Sequence, residues 1–198
     1  MLGFKMAGHK SALLTLVITV LLALYLVRHL AGIHQCLNTS LYRLGALGYL
    51  TDNIHVLFRA ALVDHHEIGH FWWSSAPTDQ WEDWLNESFA EYSSLCAIKQ
   101  HLGSAVYDDY IEAYREWART ACPIRGLNRQ ANGAFYTFYH KGAVLLYDLQ
   151  QRIGDKAFFD LMHHLAAKRI GSQHDFEAET SRRLSHDDCL WIEHRLNQ

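Results

Sequence analysis

The stretch DHHEIGHFWW, residues 64–73, decides how this chain is to be read, because it places three histidines and two acids in front of three aromatic side chains. Titratable groups this dense are costly to bury without a partner. His66, Glu67 and His70 form an H-E-x-x-H pattern, and residues four apart on a helix lie on one face. The two imidazoles can therefore bind one metal ion, with Glu67 beside it as a general base.

A zinc ion that performs chemistry needs a third protein ligand and one open coordination position. Glu87 follows in the stretch WEDWLNESFAEY, residues 81–92, after a loop that contains Pro77. A helix, this loop and a second helix would bring the Glu87 carboxylate back over the two histidines. Glu87 is therefore the candidate third ligand.

The motifs HEIGHFWW and WLNESFAEY together resemble the aminopeptidase N and leukotriene-epoxide hydrolase family of gluzincin zinc metallopeptidases. Tyr139–Ala143 (YHKGA) is similar to the Y-x-K-G-A element of that family, and the resemblance covers about residues 62–195. It implies Zn²⁺ as the cofactor, Tyr139 as the hydroxyl that stabilises the tetrahedral intermediate, Glu67 as the catalytic base and three zinc ligands: His66, His70 and Glu87.

Two features depart from the family pattern. The interval from His70 to Glu87 is shorter than usual, and we expect the shortening to lie in the loop of residues 75–80. The G-x-M-E-N segment, which captures the free amine of the substrate in that family, has no counterpart in residues 31–63. We expect a zinc-dependent, aminopeptidase-like metallopeptidase that hydrolyses peptide bonds. The alternative is a truncated, catalytically inactive zinc-binding remnant of such a peptidase.

Hydrophobic periodicity and a content of only two prolines predict a mainly α fold. The resemblance implies the helical half of a thermolysin-like zincin catalytic domain, preceded by an N-terminal hydrophobic helix. A further helix is predicted from Ser104, with an apolar stripe of Val106, Tyr110, Tyr114 and Trp117. The other predicted helices cover about residues 57–74, 81–101, 135–153 and 155–171, with two short helices between 175 and 196.

The N-terminus contains 16 uncharged residues, 12–27, preceded by Lys5 and Lys10 and followed by Arg28. This length lies between a signal-peptide core and a membrane span. We expect an uncleaved signal anchor or transmembrane helix over residues 1–30, and a cleaved signal peptide or a buried soluble helix are the alternatives. A linker of unclear structure, 31–60, would then lead to the peptidase domain, 61–198. The expected location is a single-pass membrane protein with its catalytic part outside the cytoplasm.

The formal net charge of −3 gives no basic footprint for nucleic acid. The expected partners are a peptide substrate, the membrane, and a second chain or a further copy of this chain that completes the cleft. The four cysteines form no C-x-x-C pair, which argues against a cysteine zinc site. The sequence allows two alternatives, two disulfides or four free thiols.

Several neighbours of the motifs have simpler explanations. We expect His65 to point away from the metal and the aromatic residues 71–73 to pack behind the metal helix. Glu91 can form either a hydrogen bond to a ligand or a surface salt bridge. The glycosylation sequon at Asn86 is discounted because it lies inside a predicted helix.

Overall fold

The computed structural model describes residues 62, 63 and 65–198 of the chain. The predicted signal anchor, the linker of residues 31–60, Asp64 and the first residues of the first predicted helix lie outside this part. Within the described residues, no helix combines the length and the apolar character that crossing a membrane requires.

His65–Gln198 form one compact unit, which is helical and contains no strand among its described residues, as predicted. Most of the helical elements are joined by short connections, and two longer irregular stretches, residues 70–80 and 119–133, interrupt the series. The helical elements are α1 (residues 65–69), a 3₁₀ turn (Trp81–Asp83), α2 (Trp84–Leu102), α3 (Ser104–Ala118), a π-helical turn (Tyr136–Lys141), α4 (Gly142–Ile153), α5 (Asp155–Lys168), α6 (Gln173–Ser181) and α7 (His186–Leu196).

The helix α2 is the centre of this unit and packs against α3, α4 and the π-helical turn. Its buried residues occur on all sides of the helix, which a helix with a single apolar stripe would not show. At its start, Trp84 packs edge-to-face on Phe176 of α6, with the ring centroids 5.2 Å apart. Glu87, one turn later, is thus placed by a helix that is held from several directions.

The first helix is shorter than predicted, because α1 ends at Gly69 instead of continuing to residue 74. A Cβ atom at Gly69 would lie 2.9 Å from Cα of Ala90, so only glycine allows α1 to come this close to α2. The chain then turns, and the Trp73 indole donates a hydrogen bond to Ser93 Oγ at 3.0 Å. The predicted aromatic wall is wrong for two of its three residues, since Trp73 is buried whereas Phe71 and Trp72 are exposed.

The predicted stripe of α3 is confirmed at Tyr114 but is displaced by one residue in the turns before it. The residues of α3 that are buried are Tyr107, Ile111 and Tyr114, while Trp117 is exposed. Tyr107 fixes which face of α3 points into the core, because its hydroxyl forms a hydrogen bond with the buried Tyr92 hydroxyl at 3.0 Å. Both stripes have helical spacing, so periodicity alone could not distinguish them.

The C-terminal predictions agree with the structure. The buried stripe of α5 contains Phe158, Met162 and Leu165, and two short helices follow it. The helix ends at Lys168, before the expected Gly171, and the next residue, Arg169, has a left-handed φ of 52°. Among the described residues the three cysteines (Cys96, Cys122 and Cys189) are free thiols, so the alternative of two disulfides does not hold there.

Candidate metal centre

Three donor atoms from two helices meet beside α1. His66 Nε2 lies 3.1 Å from His70 Nε2 and 3.2 Å from Glu87 Oε2, and His70 Nε2 lies 3.6 Å from the same oxygen. Among the described residues, this is the group of three His, Cys, Asp or Glu side chains whose donor atoms lie close enough to hold a metal ion. The structure therefore brings together the three residues that the sequence nominated as ligands.

Hydrogen bonds fix both imidazoles so that Nε2 faces the centre of this group. His66 Nδ1 lies 2.6 Å from Glu91 Oε2, and His70 Nδ1 lies 2.9 Å from the carbonyl oxygen of Trp73. Each Nδ1–H can donate to its oxygen, which leaves the Nε2 lone pair available to a metal. The sequence pattern contained no information on these tautomers.

Glu91 is buried and forms a hydrogen bond with the candidate ligand His66. This contact decides between the two roles predicted for Glu91, a hydrogen bond to a ligand and a surface salt bridge. The residue is 5% exposed, and its second oxygen accepts a hydrogen bond from the Tyr114 hydroxyl of α3. A surface salt bridge is thereby excluded. The carboxylate orients His66 from one side and is itself anchored to a neighbouring helix.

The donor set fits a zinc ion. Tetrahedral bonds of about 2.0–2.1 Å would separate two donors by about 3.3 Å, and the three observed separations lie around this value. Glu87 Oε2 is buried and faces the Nε2 atoms of the two histidines. A buried carboxylate oxygen in that condition is costly unless a cation neutralises it.

The electrostatics of the group also favour a cation. Burial by itself would lower the pKa of His66, but hydrogen bonds with Glu87 and Glu91 and their charges raise it to about 9. Burial would raise the pKa of Glu87, yet hydrogen bonds with His66 and Tyr139 lower it below its usual range. The carboxylate is thus ionised at neutral pH, and a metal must displace a proton from His66.

Tyr139 lies beside the donors on the π-helical turn. Its ring stacks on that of His66, with centroids 5.2 Å apart. Burial and the negative charge of Glu87 raise its pKa, so the hydroxyl keeps its proton and remains a hydrogen-bond donor at neutral pH. The predicted hydroxyl is therefore next to the centre.

The π-helical turn is fastened to α2 by Ser88, the residue after Glu87. Ser88 Oγ donates a hydrogen bond of 2.6 Å to the carbonyl oxygen of Phe138, which satisfies a backbone group in the widened turn. A Cβ atom at Gly142 would lie 1.8 Å from Ser88 Oγ, so the glycine of the YHKGA motif allows this approach. Glu87 and Tyr139 are thereby held in one rigid arrangement.

The other residues of the YHKGA motif serve the fold. Lys141 Nζ donates to the carbonyl oxygens of Ala121 and Cys122, each at 3.0 Å, and so fixes the irregular loop after α3. His140 is buried against Tyr114, with ring centroids 4.4 Å apart. Neither side chain belongs to the group of three donors.

Glu67 and His65 lie on either side of His66 in the sequence and on other faces of α1. Glu67 is exposed, which is compatible with contact to a substrate or to water. The His65 ring lies 5.9 Å from that of His101 in α2, and it is outside the donor group, as expected. Asn86 is buried and hydrogen-bonded to Ala76 at both backbone atoms, which agrees with discounting its sequon.

Sequence reasoning missed Asp83 and Arg129. Asp83 is 1% exposed, and its Oδ2 lies 2.5 Å from Arg129 Nε. Arg129 Nη2 also lies 3.5 Å from Glu87 Oε1. Asp83 could have been noticed as an acid one helical turn before Glu87, but Arg129 comes from a loop without periodicity, whose position no local pattern reveals.

Comparison with known proteins places these motifs in one family. The model of the peptidase family M1 domain matches residues 50–186. A leucyl aminopeptidase of Saccharolobus solfataricus is 31% identical over 121 residues, and a probable aminopeptidase 1 of the same organism is 33% identical over 122 residues. Each alignment covers 54% of this chain but only 15% of the relative, so the chain spans a small part of their length.

Solved structures show the same helical arrangement. An M1 zinc metallopeptidase from Deinococcus radiodurans superimposes with a TM-score of 0.55 and 23% identity, covering 67% of this chain and 32% of its own. A two-domain M1 zinc metallopeptidase bound to L-tryptophan gives a TM-score of 0.58 and 22% identity, covering 69% of this chain and 33% of its own. The fold is therefore that of the helical part of such enzymes.

Proposed function

The chain belongs to peptidase family M1, and we propose that it is a zinc-dependent metallopeptidase that hydrolyses peptide bonds in the manner of an aminopeptidase. The observation that carries this proposal is the meeting of three donor atoms with the Tyr139 hydroxyl beside them. His66, His70 and Glu87 would hold Zn²⁺. The relatives named above as aminopeptidases support the substrate class.

The chain's own residues supply the proton transfers. When bound, Zn²⁺ acts as a Lewis acid and makes a water-derived nucleophile available near neutral pH. Glu67, exposed next to His66, takes the proton of the attacking water and later delivers it to the leaving amine. Tyr139 donates a hydrogen bond to the carbonyl oxygen as negative charge develops on it.

The test combines metal analysis with an assay. We expect one zinc per chain, hydrolysis of at least one member of a panel of aminoacyl fluorogenic amides, loss of hydrolysis with a chelator and recovery with added zinc. Stoichiometric zinc without cleavage of any substrate would contradict the peptidase and favour the inactive remnant. Cleavage that a chelator leaves unchanged would contradict the role of the metal.

We also propose that residues 12–27 attach the protein to a membrane as a single-pass anchor, with the catalytic part outside the cytoplasm. The support is the uncharged run itself, with Lys5 and Lys10 before it. Resistance of the full chain to alkaline extraction from membranes, together with sensitivity to protease added from the extracytoplasmic side, is the expected result. Release by alkaline carbonate would contradict the anchor.

A second chain, either another copy or a different protein, is proposed to complete the cleft. Phe71 and Trp72 follow His70 directly and are exposed, and exposed apolar surface of this kind can mark an interaction site. If a further copy covers them, light scattering should give a dimer and specific activity should fall on dilution. A purified monomer that hydrolyses substrate with a concentration-independent specific activity would contradict both forms of this proposal, because its cleft would then be complete without a second chain.

A further inference from the structure

Arg129 reaches the metal centre from the irregular loop between α3 and the π-helical turn. Its guanidinium uses two different nitrogens for two carboxylates. Nε lies 2.5 Å from Asp83 Oδ2, and Nη2 lies 3.5 Å from Glu87 Oε1. The first contact is a tight charge-assisted hydrogen bond, and the second is a longer ion pair.

The two oxygens of Glu87 therefore have different surroundings. Oε2 is buried and faces the Nε2 atoms of His66 and His70 at 3.2 and 3.6 Å. Oε1 faces the Arg129 guanidinium. A carboxylate with one oxygen next to a fixed cation presents the other oxygen in a defined direction.

Asp83 explains why the guanidinium stays in place. The residue is buried, and its other oxygen accepts a hydrogen bond of 2.9 Å from Asn86 Nδ2. Asp83 and Glu87 are one helical turn apart at the start of α2, so a planar, branched donor can contact both at once. The guanidinium also lies 5.4 Å from the ring centroid of Phe138 and 6.0 Å from that of Tyr139.

We propose that Arg129 is a positioning residue that directs the Glu87 carboxylate so that Oε2 faces the two histidines. This inference rests on the proposed zinc site. The competing explanation is purely structural, in which Arg129 only neutralises the buried Asp83. The two explanations differ in one measurable quantity, the affinity for zinc.

The same loop offers a matched control in Arg125. The side chain of Arg125 is 29% exposed, against 25% for Arg129, and it also bridges two carboxylates, those of Glu177 and Glu193. Those two carboxylates belong to α6 and α7 and not to the donor group. Removal of either arginine costs two ion pairs, but only one of the two residues contacts a candidate ligand.

The experiment measures the zinc dissociation constant of the full chain by competition with a chelating dye, without any assay of hydrolysis. R129Q should weaken zinc binding by about 10–100-fold, the usual cost of losing a residue that orients a ligand, whereas R125Q should leave it unchanged. R129K should also weaken it, because an ammonium group can pair with Asp83 but lacks the second arm of the guanidinium.

An R129Q protein that is less stable without metal, yet binds zinc as tightly as the wild type, would overturn the proposal in favour of the structural explanation. If R129Q does not fold, R129K decides, since it keeps a positive charge for Asp83; wild-type affinity in R129K would also overturn the proposal. Failure of the wild-type chain to bind zinc would instead overturn the proposed function on which this inference rests.

Discussion

The metal centre combines a closed part and an open part. The closed part consists of α2 and the π-helical turn, where Glu87 and Tyr139 are held by buried contacts such as the hydrogen bond from Ser88 to Phe138. The open part consists of residues 65–73, a short helix and a turn. There Glu67 is exposed, and Phe71 and Trp72 are 76% and 56% exposed.

This difference in burial distinguishes the buried groups that orient the metal ligands from the more exposed groups that can meet the substrate. His66 links the two parts, because it lies on α1 but is buried and hydrogen-bonded to Glu91 of α2. Substitutions of buried partners should therefore change metal affinity or stability. Substitutions of groups that face the reacting centre should change turnover and leave the metal bound.

Glu67→Gln is expected to have the largest effect on activity. Glutamine keeps the shape of the side chain but cannot accept the proton of the attacking water, so kcat should fall by about 10²–10⁴-fold. Zinc content, measured by metal analysis, should stay at the wild-type level. Glu116→Gln, another exposed glutamate, is the control and should retain activity; loss of zinc from Glu67→Gln would contradict the assignment of Glu67 to the open part.

Tyr139→Phe tests the hydroxyl that the closed part presents to the centre. Loss of one hydrogen bond to the developing oxyanion should lower kcat by about 10²–10³-fold with little change in KM. Tyr136→Phe, on the same π-helical turn but exposed, should leave kcat unchanged. Equal effects of the two substitutions would show that the conformation of the turn, and not the Tyr139 hydroxyl, determines kcat.

Glu91→Gln tests the link between the two parts. The amide can preserve volume but loses the charge that orients and polarises His66, so zinc affinity should fall by about 10–100-fold. A competition titration with a chelating dye measures it, and Glu112→Gln on the exposed face of α3 is the control. Unchanged affinity would mean that His66 is oriented by the packing of Tyr139 on its ring.

The closed part is also where the sequence predicted the structure best. Glu87 was nominated because it follows the H-E-x-x-H pattern after a loop of suitable length, and Tyr139 because YHKGA resembles the Y-x-K-G-A element of the family. Local patterns and tertiary packing agree here.

The predictions that were wrong or absent share one physical cause, namely tertiary contacts that a local sequence pattern does not contain. Phe71 and Trp72 resemble core residues by composition, but the chain turns after Gly69 and only Trp73 reaches the interior. In α3, two adjacent apolar stripes have the same period, and the hydrogen bond between Tyr107 and Tyr92 selects one of them. Arg129 was not predicted at all, since its partners are distant in the sequence.

The smallest expected effect is a pH dependence of folding stability that comes from His140 in the closed part. Burial lowers the pKa of His140 to about 4, and the Glu91 charge offsets this only in part. Between pH 6.5 and 4 the unfolded chain therefore binds a proton that the folded chain does not, so His140 makes stability decrease as the pH falls through this range. From pH 6.5 to 5.5 the loss should be about 1 kcal/mol.

Urea denaturation of the wild type and of His140→Phe at several pH values isolates this contribution. Phenylalanine fits the aromatic surroundings of Tyr114 and Trp117 and carries no titratable group. The difference in the free energy of unfolding between the two proteins should therefore change by about 1 kcal/mol from pH 6.5 to 5.5. A difference that is independent of pH would show that water reaches His140, and that the π-helical turn belongs to the open part of the centre instead of the closed one.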